Sequence, residues 1–210
     1  MQDALIIIDV QACFVKPSDA SDPATIGLDI QDFFKRVDTQ VIPNIQLLLE
    51  AFRAANKAIF FGEMASLKPD GSDLSFHMRR INEASLSSSG QVVMPYLDDR
   101  DARTDERIKP IDGETVIRKN TTGTVACSSL AEDLRSRGCT SIAVTGLVTD
   151  CCVGQTAREL SDRDFEVTLV EDACASYSST HHFSTIESFK SFHGDVETTR
   201  SVTSGPETSG

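Results

Sequence analysis

The chain of 210 residues is long enough for one α/β domain with a full core, and its 40% hydrophobic and 25% charged residues are typical of a soluble globular protein. A formal net charge of -12 argues against nucleic acid and an anionic membrane surface as partners. Six cysteines are scattered without a CxxC pair, which indicates reduced thiols in a cytosol-like compartment. The first apolar run has no basic segment before it and is too short for a signal peptide or membrane span. We therefore predict a cytoplasmic protein.

Apolar, β-branched runs alternate with helical patterns along the chain. The runs predict strands at 4–8, 58–61, 115–117, 142–144 and 166–170. The helical patterns lie at 45–52, 128–137, 149–163 and 182–192, with a short helix near 74–81 in an otherwise loop-like stretch from 66 to 107. This alternation predicts an α/β fold: a doubly wound, mostly parallel sheet of five to six strands flanked by helices, in a three-layer, Rossmann-like arrangement. We expect a single domain over 1–200 and a disordered tail over 201–210.

Reactive side chains follow three of these predicted strands. Asp9 ends the first strand, Lys119 ends the third, and Cys151 and Cys152 follow the fourth at the start of a helix. Because the carboxyl ends of parallel strands meet at one edge of a sheet, these groups should share a crevice. A carboxylate can then take the proton of a thiol, and the thiolate can attack an electrophilic carbon while backbone N–H groups hold the oxyanion. The spacing does not tell which cysteine is the nucleophile.

Each of these residues also has a purely structural interpretation. An aspartate at a strand end often caps a turn, a lysine is usually solvated, and a cysteine after an apolar strand is usually a small core residue. Two further function classes therefore stay open. One is a catalytically silent binding or scaffold protein on the same fold, and the other is a redox-responsive thiol protein, which the adjacent cysteines suggest.

Three segments resemble the isochorismatase-like cysteine hydrolase family, which includes nicotinamidases and the N-carbamoylsarcosine and ureidoacrylate amidohydrolases. The segments are ALIIIDVQACF, TVIRKNTTGTVACSSL and VTGLVTDCCVGQTARELSDRDFEVTLVEDACA, in the order found in the family. The resemblance implies a catalytic triad with Cys152 as nucleophile, Asp9 as general base and Lys119 as third member. It further implies a cis peptide between Leu147 and Val148, so that the N–H groups of Val148 and Cys152 form an oxyanion hole.

The substrate side of the crevice is predicted around the ends of the first two strands. The resemblance matches Gln11 and Phe14 to a family Gln-x-x-Phe pattern in which the phenylalanine lines the substrate pocket. Phe61, Glu63 and Met64, at the end of the second strand, are expected to face the same crevice. This segment lacks the Asp/His cluster that holds the metal of nicotinamidases, so we predict no metal and no cofactor.

The sequence thus predicts a metal-independent cysteine hydrolase that cleaves the C–N bond of a small amide, carbamoyl or ureido compound through a thioester-type intermediate. The expected partner is a small-molecule substrate, and the resemblance implies a homo-oligomer, a dimer or tetramer. The register implied by the family turns the side chain of Cys151 away from the crevice. Arg79 and Arg80 stay open as partners for a substrate carboxylate, and His181 and His182 are expected to begin the last helix.

Overall fold

A single sheet of parallel strands organises the molecule in a computed structural model, which describes residues 1–17 and 30–204. The strands are β1 Ala4–Ile8, β2 Ala58–Met64, β3 Thr115–Lys119, β4 Ser141–Leu147, β5 Glu166–Ala175 and β6 Asp195–Glu197. Their order is β3-β2-β1-β4-β5-β6, and every neighbouring pair is parallel. The predicted fold class is confirmed, with six strands rather than the five that the apolar runs located. The short β6 carries too few apolar residues to stand out in the sequence.

Within the described residues the chain forms seven α-helices. They are α1 Ile30–Arg36, α2 Ile42–Ala54, α3 Phe76–Ser89, α4 Leu130–Ser136, α5 Gly154–Ser161, α6 Ser179–Phe192 and α7 Thr199–Ser204. A π-helical turn over Val37–Val41 joins α1 to α2, and another over Thr149–Val153 leads into α5. None of the helices in this part of the chain is long and apolar enough to cross a membrane.

Both faces of the sheet are covered, because alternate residues of each strand point to opposite sides. Leu5 and Ile7 of β1 join a core with α1, α2 and α7, whereas Ile6 and Ile8 join a second core with α4, α5 and α6. All four side chains are at most 1% exposed. The burial of β1 on both sides explains its unbroken apolar sequence and confirms the three layers.

Helix α3 is longer than the sequence predicts. Its last turns run through Ser85 to Ser89, a serine-rich stretch expected to be a loop. The hydroxyl groups of Ser87, Ser88 and Ser89 donate to backbone carbonyls one turn earlier, so these polar side chains find hydrogen-bond partners within the helix itself. Gly90 then ends the helix in a left-handed conformation.

The first four residues of the predicted disordered tail are helical. Residues 201–204 complete α7, where Val202 is 3% exposed and packs in the core with α1 and α2. The start of the predicted tail at 201 is therefore a correction, since one buried valine in a polar segment gives little sequence signal. The rest of the predicted tail, 205–210, lies outside the described residues.

Candidate active site

The three predicted reactive residues lie at the carboxyl ends of three strands. Asp9 comes directly after β1 with a φ of 53°, Lys119 is the last residue of β3, and Cys152 lies in the π-helical turn after β4. Gly146 allows β4 to approach β1 closely here: its φ is 115°, and a Cβ on it would collide with the backbone of Ile8. The strand order therefore brings together residues that are more than 100 positions apart in the sequence.

Asp9 and Lys119 form a buried ion pair. The Lys119 ammonium donates to Asp9 Oδ2 at 2.7 Å and to the carbonyl oxygens of Thr121 and Thr122 at 3.1 and 3.2 Å. The two charged side chains are 5% and 0% exposed. Three acceptors match the three N–H donors of an ammonium group. Asp9 Oδ1 is also buried but has no hydrogen-bond partner in the described part of the molecule, so one carboxylate oxygen stays available as an acceptor.

The protonation of the site follows from burial and from the short distances between its charges. Burial raises the pKa of Asp9, and the ammonium of Lys119 opposes this shift. Burial acts to lower the pKa of Lys119, but the negative charges of Asp9 and of a Cys152 thiolate outweigh it and leave that pKa raised. A hydrogen bond with the Cys151 thiol, burial and the Asp9 carboxylate raise the pKa of Cys152 well above that of a free thiol. The 2.7 Å contact with the Lys119 ammonium stabilises the Asp9 carboxylate against the effect of burial, so we expect a charged Asp9–Lys119 pair beside a neutral Cys152 thiol at rest.

The turn after β4 contains the cis peptide bond that the family resemblance implies. The peptide bond between Leu147 and Val148 is cis. Val148 and Cys152 both line the same cavity as Asp9. Cys151 also lines this cavity, and its contact with Cys152 lowers the pKa of the Cys151 thiol. The prediction that Cys151 points away from the crevice is therefore wrong, because the π-helical turn presents both neighbouring residues to the opening.

The cavity above these residues has a volume of about 400 Å³. One side, which we call the strand-end wall, consists of Asp9, Met64, Leu147, Val148 and Cys152. The opposite side, the helix wall, comes from α3 and the segment after it: Met78, Ile81, Ala84, Ser85, Val93 and Met94. Phe14 packs against both walls, and Asp150, Cys151, Ser176, Tyr177 and His181 complete the lining. Of these five, Asp150 and His181 are exposed to solvent and mark the rim of the cavity. Reactive groups on one wall thus face an apolar surface on the other.

Only part of the predicted substrate side lies in this cavity. Phe14 and Met64 line it, as expected. Phe61 instead lies in the core under α2, and Glu63 accepts hydrogen bonds from the N–H and hydroxyl of Thr104 at 2.8 and 2.9 Å. These two predictions are corrected by strand alternation: Met64 faces the cavity, so Phe61 and Glu63 face the other side of β2.

Gln11 is a structural residue rather than a cavity residue. Its amide donates to the carbonyl oxygens of Met64 and Ala102 at 2.9 and 2.7 Å, and its Oε1 accepts from the Met64 N–H at 2.7 Å. The side chain is fully buried. The prediction of substrate contact by Gln11 is therefore wrong for this cavity, but Gln11 fixes Met64 in the strand-end wall.

The arginines and histidines considered from the sequence lie at or outside the edge of the cavity. Arg79 donates to the carbonyl oxygens of Ser72 and Leu74, and Arg80 extends over the ring of Phe76. His181 lies at the rim, with Nδ1 3.4 Å from Asp150 Oδ2. In residues 1–17 and 30–204, no three His, Cys, Asp or Glu side chains are grouped so that they could hold a metal ion. The absence of a metal stays a prediction.

His182 joins helix α6 to the turn that carries Cys152. Its Nδ1 lies 2.8 Å from the Thr149 hydroxyl, and its Nε2 lies 3.4 Å from the guanidinium of Arg36. Because a guanidinium only donates, Nε2 is the acceptor and Nδ1 carries the proton. Burial, helped by Arg36, lowers the pKa of His182 to about 4. His182 is therefore neutral and structural, and α6 itself begins at Ser179, slightly before the predicted start.

Glu159 holds the loop after Lys119, and this role was not predicted from the sequence. Glu159 Oε2 accepts from the N–H groups of Val125 and Ala126 at 3.0 and 3.3 Å. A Cβ on Gly123 would collide with this carboxylate. The spacing offers a signal, since Glu159 follows Cys152 by seven residues, about two turns of the helix that begins beside the nucleophile. Glu159 thus ties the helix after Cys152 to the loop whose carbonyls hold the Lys119 ammonium.

Comparison with known proteins places this fold and site in a family. A family model described as the isochorismatase domain matches residues 3–201. The chain belongs to the isochorismatase family. This confirms the resemblance carried by the three sequence segments, and the protein is an isochorismatase-family hydrolase.

Individual members of the isochorismatase family resemble the chain along most of its length. The uncharacterized isochorismatase family protein YrdC from Bacillus subtilis is 26% identical over 174 residues, which are 83% of this chain and 74% of that protein. N-carbamoylsarcosine amidase from Arthrobacter sp is 26% identical over 166 residues, which are 77% of this chain and 60% of that protein. The crystal structure of an isochorismatase family protein from Desulfovibrio vulgaris superposes with a TM-score of 0.77 at 23% identity, covering 96% of this chain and 97% of that chain.

Proposed function

We propose that this hydrolase is a cysteine amidohydrolase that cleaves the C–N bond of a small amide, carbamoyl or ureido compound without a metal. One observation carries the proposal: a buried carboxylate, paired with an equally buried ammonium, keeps one oxygen without a partner in a cavity that also contains a buried thiol. The similarity to N-carbamoylsarcosine amidase supports C–N bond cleavage as the reaction class.

Acylation begins with proton transfer. The Asp9 carboxylate accepts the proton of the Cys152 thiol, and the sulfur attacks the carbonyl carbon of the substrate. The carbonyl π electrons move to oxygen, where the N–H groups of Val148 and Cys152 stabilise the negative charge. When the tetrahedral intermediate collapses, the C–N bond breaks and Asp9 returns the proton to the leaving nitrogen. The products are ammonia or an amine and an acyl group bound to Cys152 as a thioester.

Deacylation uses the same groups in reverse. Asp9 accepts a proton from water, and the hydroxyl oxygen attacks the thioester carbon. Collapse of this intermediate breaks the C–S bond, and the proton on Asp9 goes to the thiolate. Lys119 stays charged throughout and keeps the Asp9 carboxylate stable in its buried position, which requires a paired counter-ion. A silent scaffold has no need for this buried pair beside an open cavity, so the geometry favours the enzyme.

The test is an ammonia- and amine-release screen over primary amides, carbamoyl amines and ureido acids. We expect turnover by the unmodified protein, a loss of at least about 10⁴-fold for Cys152→Ala, and activity within about fivefold of the parent for Cys127→Ala, which changes an exposed thiol away from the cavity. Turnover that survives Cys152→Ala would reject the mechanism.

A homo-oligomer, a dimer or tetramer, and a cytoplasmic location also stay proposals. Light scattering on the purified protein measures the first, and fractionation of cells that express the chain measures the second.

A further inference from the structure

The charged side chains that line the cavity are two aspartates, and the one basic side chain among the described lining residues is His181. Asp9 lies at the base and Asp150 at the rim, where it receives a hydrogen bond from the Ser176 hydroxyl and lies 3.4 Å from His181 Nδ1. No lysine or arginine of the described ranges 1–17 and 30–204 lines the cavity. Lys119 lies behind Asp9, where Asp9 and two backbone carbonyls already occupy its donors.

The two segments outside the described residues contain no cationic side chain either. Residues 18–29 read SDASDPATIGLD and residues 205–210 read GPETSG, and neither segment contains lysine, arginine or histidine. Neither these segments nor the described residues that line the cavity therefore supply a guanidinium or ammonium group to bind a substrate carboxylate.

The helix wall adds an apolar surface to this charge pattern. Met78, Ile81 and Met94 cluster with Met64 of the strand-end wall and with Phe14. Methionine side chains are flexible and polarizable, so such a surface adapts to alkyl and aryl groups of different shape. A carboxylate placed against it loses its hydration without gaining a partner, and it also lies near the like charges of Asp9 and Asp150.

We propose that the substrate is an uncharged amide with an apolar substituent that contacts Met64, Met78 and Met94, and that compounds with a carboxylate on this substituent are excluded. This inference rests on the proposed function, since it assumes that Cys152 is the reacting group. It narrows the proposed substrates, which are amide, carbamoyl and ureido compounds, to those without a negative charge.

A matched pair of alkylating reagents tests the charge preference without knowledge of the natural substrate. N-pentyl iodoacetamide and 5-(iodoacetamido)pentanoate differ only in a terminal methyl or carboxylate group. In both, the Cys152 sulfur forms a bond to the CH₂ carbon, iodide leaves with the C–I electrons, and the thiol proton passes to Asp9 and then to solvent. Fragment-ion mass spectrometry gives the labelling rate at Cys152 and, in the same sample, at the exposed Cys127.

We expect the neutral reagent to label Cys152 at least about 50-fold faster than the anionic one, while the two rates at Cys127 agree within about threefold. Equal rates at Cys152, or faster reaction of the anionic reagent, would overturn the inference. Absence of labelling by both reagents at Cys152, with Cys127 labelled, would also overturn it, because the cavity would then not admit the apolar group.

A cation placed on the helix wall sharpens this test. Ile81→Arg should reduce the neutral-to-anionic ratio at Cys152 by about tenfold, and the matched apolar variant Ile81→Met should keep the parent ratio. A ratio that does not respond to Ile81→Arg in a protein with the parent circular dichroism spectrum would contradict the placement of the substituent on this wall.

The hydrolysis of hexanamide and adipamate, which again differ by methyl and carboxylate, separates the two proposals. Cysteine-dependent turnover that favours adipamate would reject the inference and leave the proposed function standing. Selective labelling of Cys152 by the neutral reagent, combined with amide turnover that persists in Cys152→Ala, would reject the proposed function instead.

Discussion

The two walls of the cavity differ in how strongly the fold fixes them. The strand-end wall is part of the sheet: Asp9 and Cys152 follow β1 and β4, which are paired with strands on both sides, and Lys119 at the end of the edge strand β3 is held to Asp9 by a contact of 2.7 Å. The helix wall belongs to α3, between β2 and β3, and its apolar residues form a small cluster apart from the two main cores. The proposed chemistry thus uses the wall that the sheet fixes, and the proposed substrate selection uses a wall that can change without changing the fold.

The two walls are nevertheless connected through Asp73. This carboxylate accepts hydrogen bonds from the hydroxyl of Ser66, the N–H of Leu67 and the side-chain amide of Asn120, the residue after Lys119. These hydrogen bonds outweigh the effect of burial and lower the pKa of Asp73 to about 2. The loop before α3 is therefore tied by an ionised carboxylate to the strand end that carries the catalytic lysine.

Removal of the ammonium that pairs with Asp9 should cause the largest loss of stability and activity. In Lys119→Met the Asp9 charge is left buried without its partner, so we expect a loss of about 3–5 kcal/mol in the free energy of unfolding and at least about 10³-fold in kcat. Urea unfolding and steady-state kinetics measure the two losses.

The double variant Asp9→Asn/Lys119→Met supplies the control for this prediction. It removes both charges, so it should recover most of the lost stability and none of the activity. Recovery of kcat in the double variant would show that the ion pair serves only the fold.

Truncation on the helix wall should change substrate binding rather than the chemical step. Met78→Ala removes a side chain that is 7% exposed and lines the cavity, so KM for an apolar amide should rise about tenfold while kcat stays within about threefold. Leu86→Ala is the matched control, because Leu86 lies on the same helix but is 54% exposed. A fall in kcat/KM that lies wholly in kcat would assign the helix wall a chemical role and remove the contrast between the walls.

Replacement of Glu159 tests whether its hydrogen bonds to the loop after Lys119 hold the strand-end wall in position. Glu159→Gln keeps the size of the side chain but weakens its hydrogen bonds to the loop after Lys119, so kcat should fall about fivefold with little change in KM. If the change affects only the fold, the pH profile of kcat/KM should stay the same. If Lys119 is instead held less firmly beside Asp9, the Asp9 carboxylate loses part of its counter-charge and its pKa rises, so the acid limb of kcat/KM should move to higher pH. Glu187→Gln, at an exposed position of α6, should leave the profile unchanged.

The last prediction concerns stability alone and the contact of α6 with the turn that carries Cys152. The pKa of His182 is about 4 in the folded protein and near 6.5 in an unfolded chain, so the unfolded state binds more protons between these values. Stability should therefore decrease as the pH falls from about 6.5 to 4, by at most about 3 kcal/mol and less after solvent screening. Urea titrations across this range should show the decrease in the parent protein and a clearly smaller one in His182→Asn. Equal decreases in both would contradict the assignment.

The sequence predicted the strand-end wall well because its signals are local. Apolar runs mark buried strands, and the convergence of parallel strand ends brings Asp9, Lys119 and Cys152 to one place. The choice between two adjacent cysteines required the family register, because a π-helical turn presents both to the cavity. Local spacing contains no information about that turn.

The substrate side was harder to predict for two physical reasons. Along β2, neighbouring side chains point alternately toward the cavity and toward the opposite face of the sheet. A shift of one position changes the face, and Phe61 and Glu63 were assigned to the wrong one. On α3, serines with poor helix propensity hide a helix that is held by the packing of Met78 and Ile81 in the cluster at the cavity. Contacts with distant parts of the chain decide such elements, and a single sequence does not encode them in a recognisable pattern.

In the proposed mechanism, the Cys152 sulfur carries the acyl group during turnover. Rapid acid quench of the working enzyme, followed by intact-mass and fragment-ion mass spectrometry, measures this directly with any amide that the screen identifies. We expect a mass increase equal to the acyl group, located on Cys152 and lost over time as the thioester hydrolyses, with none of it on Cys151. An acyl group located on Cys151, or burst kinetics with no acylated cysteine, would contradict the proposed mechanism.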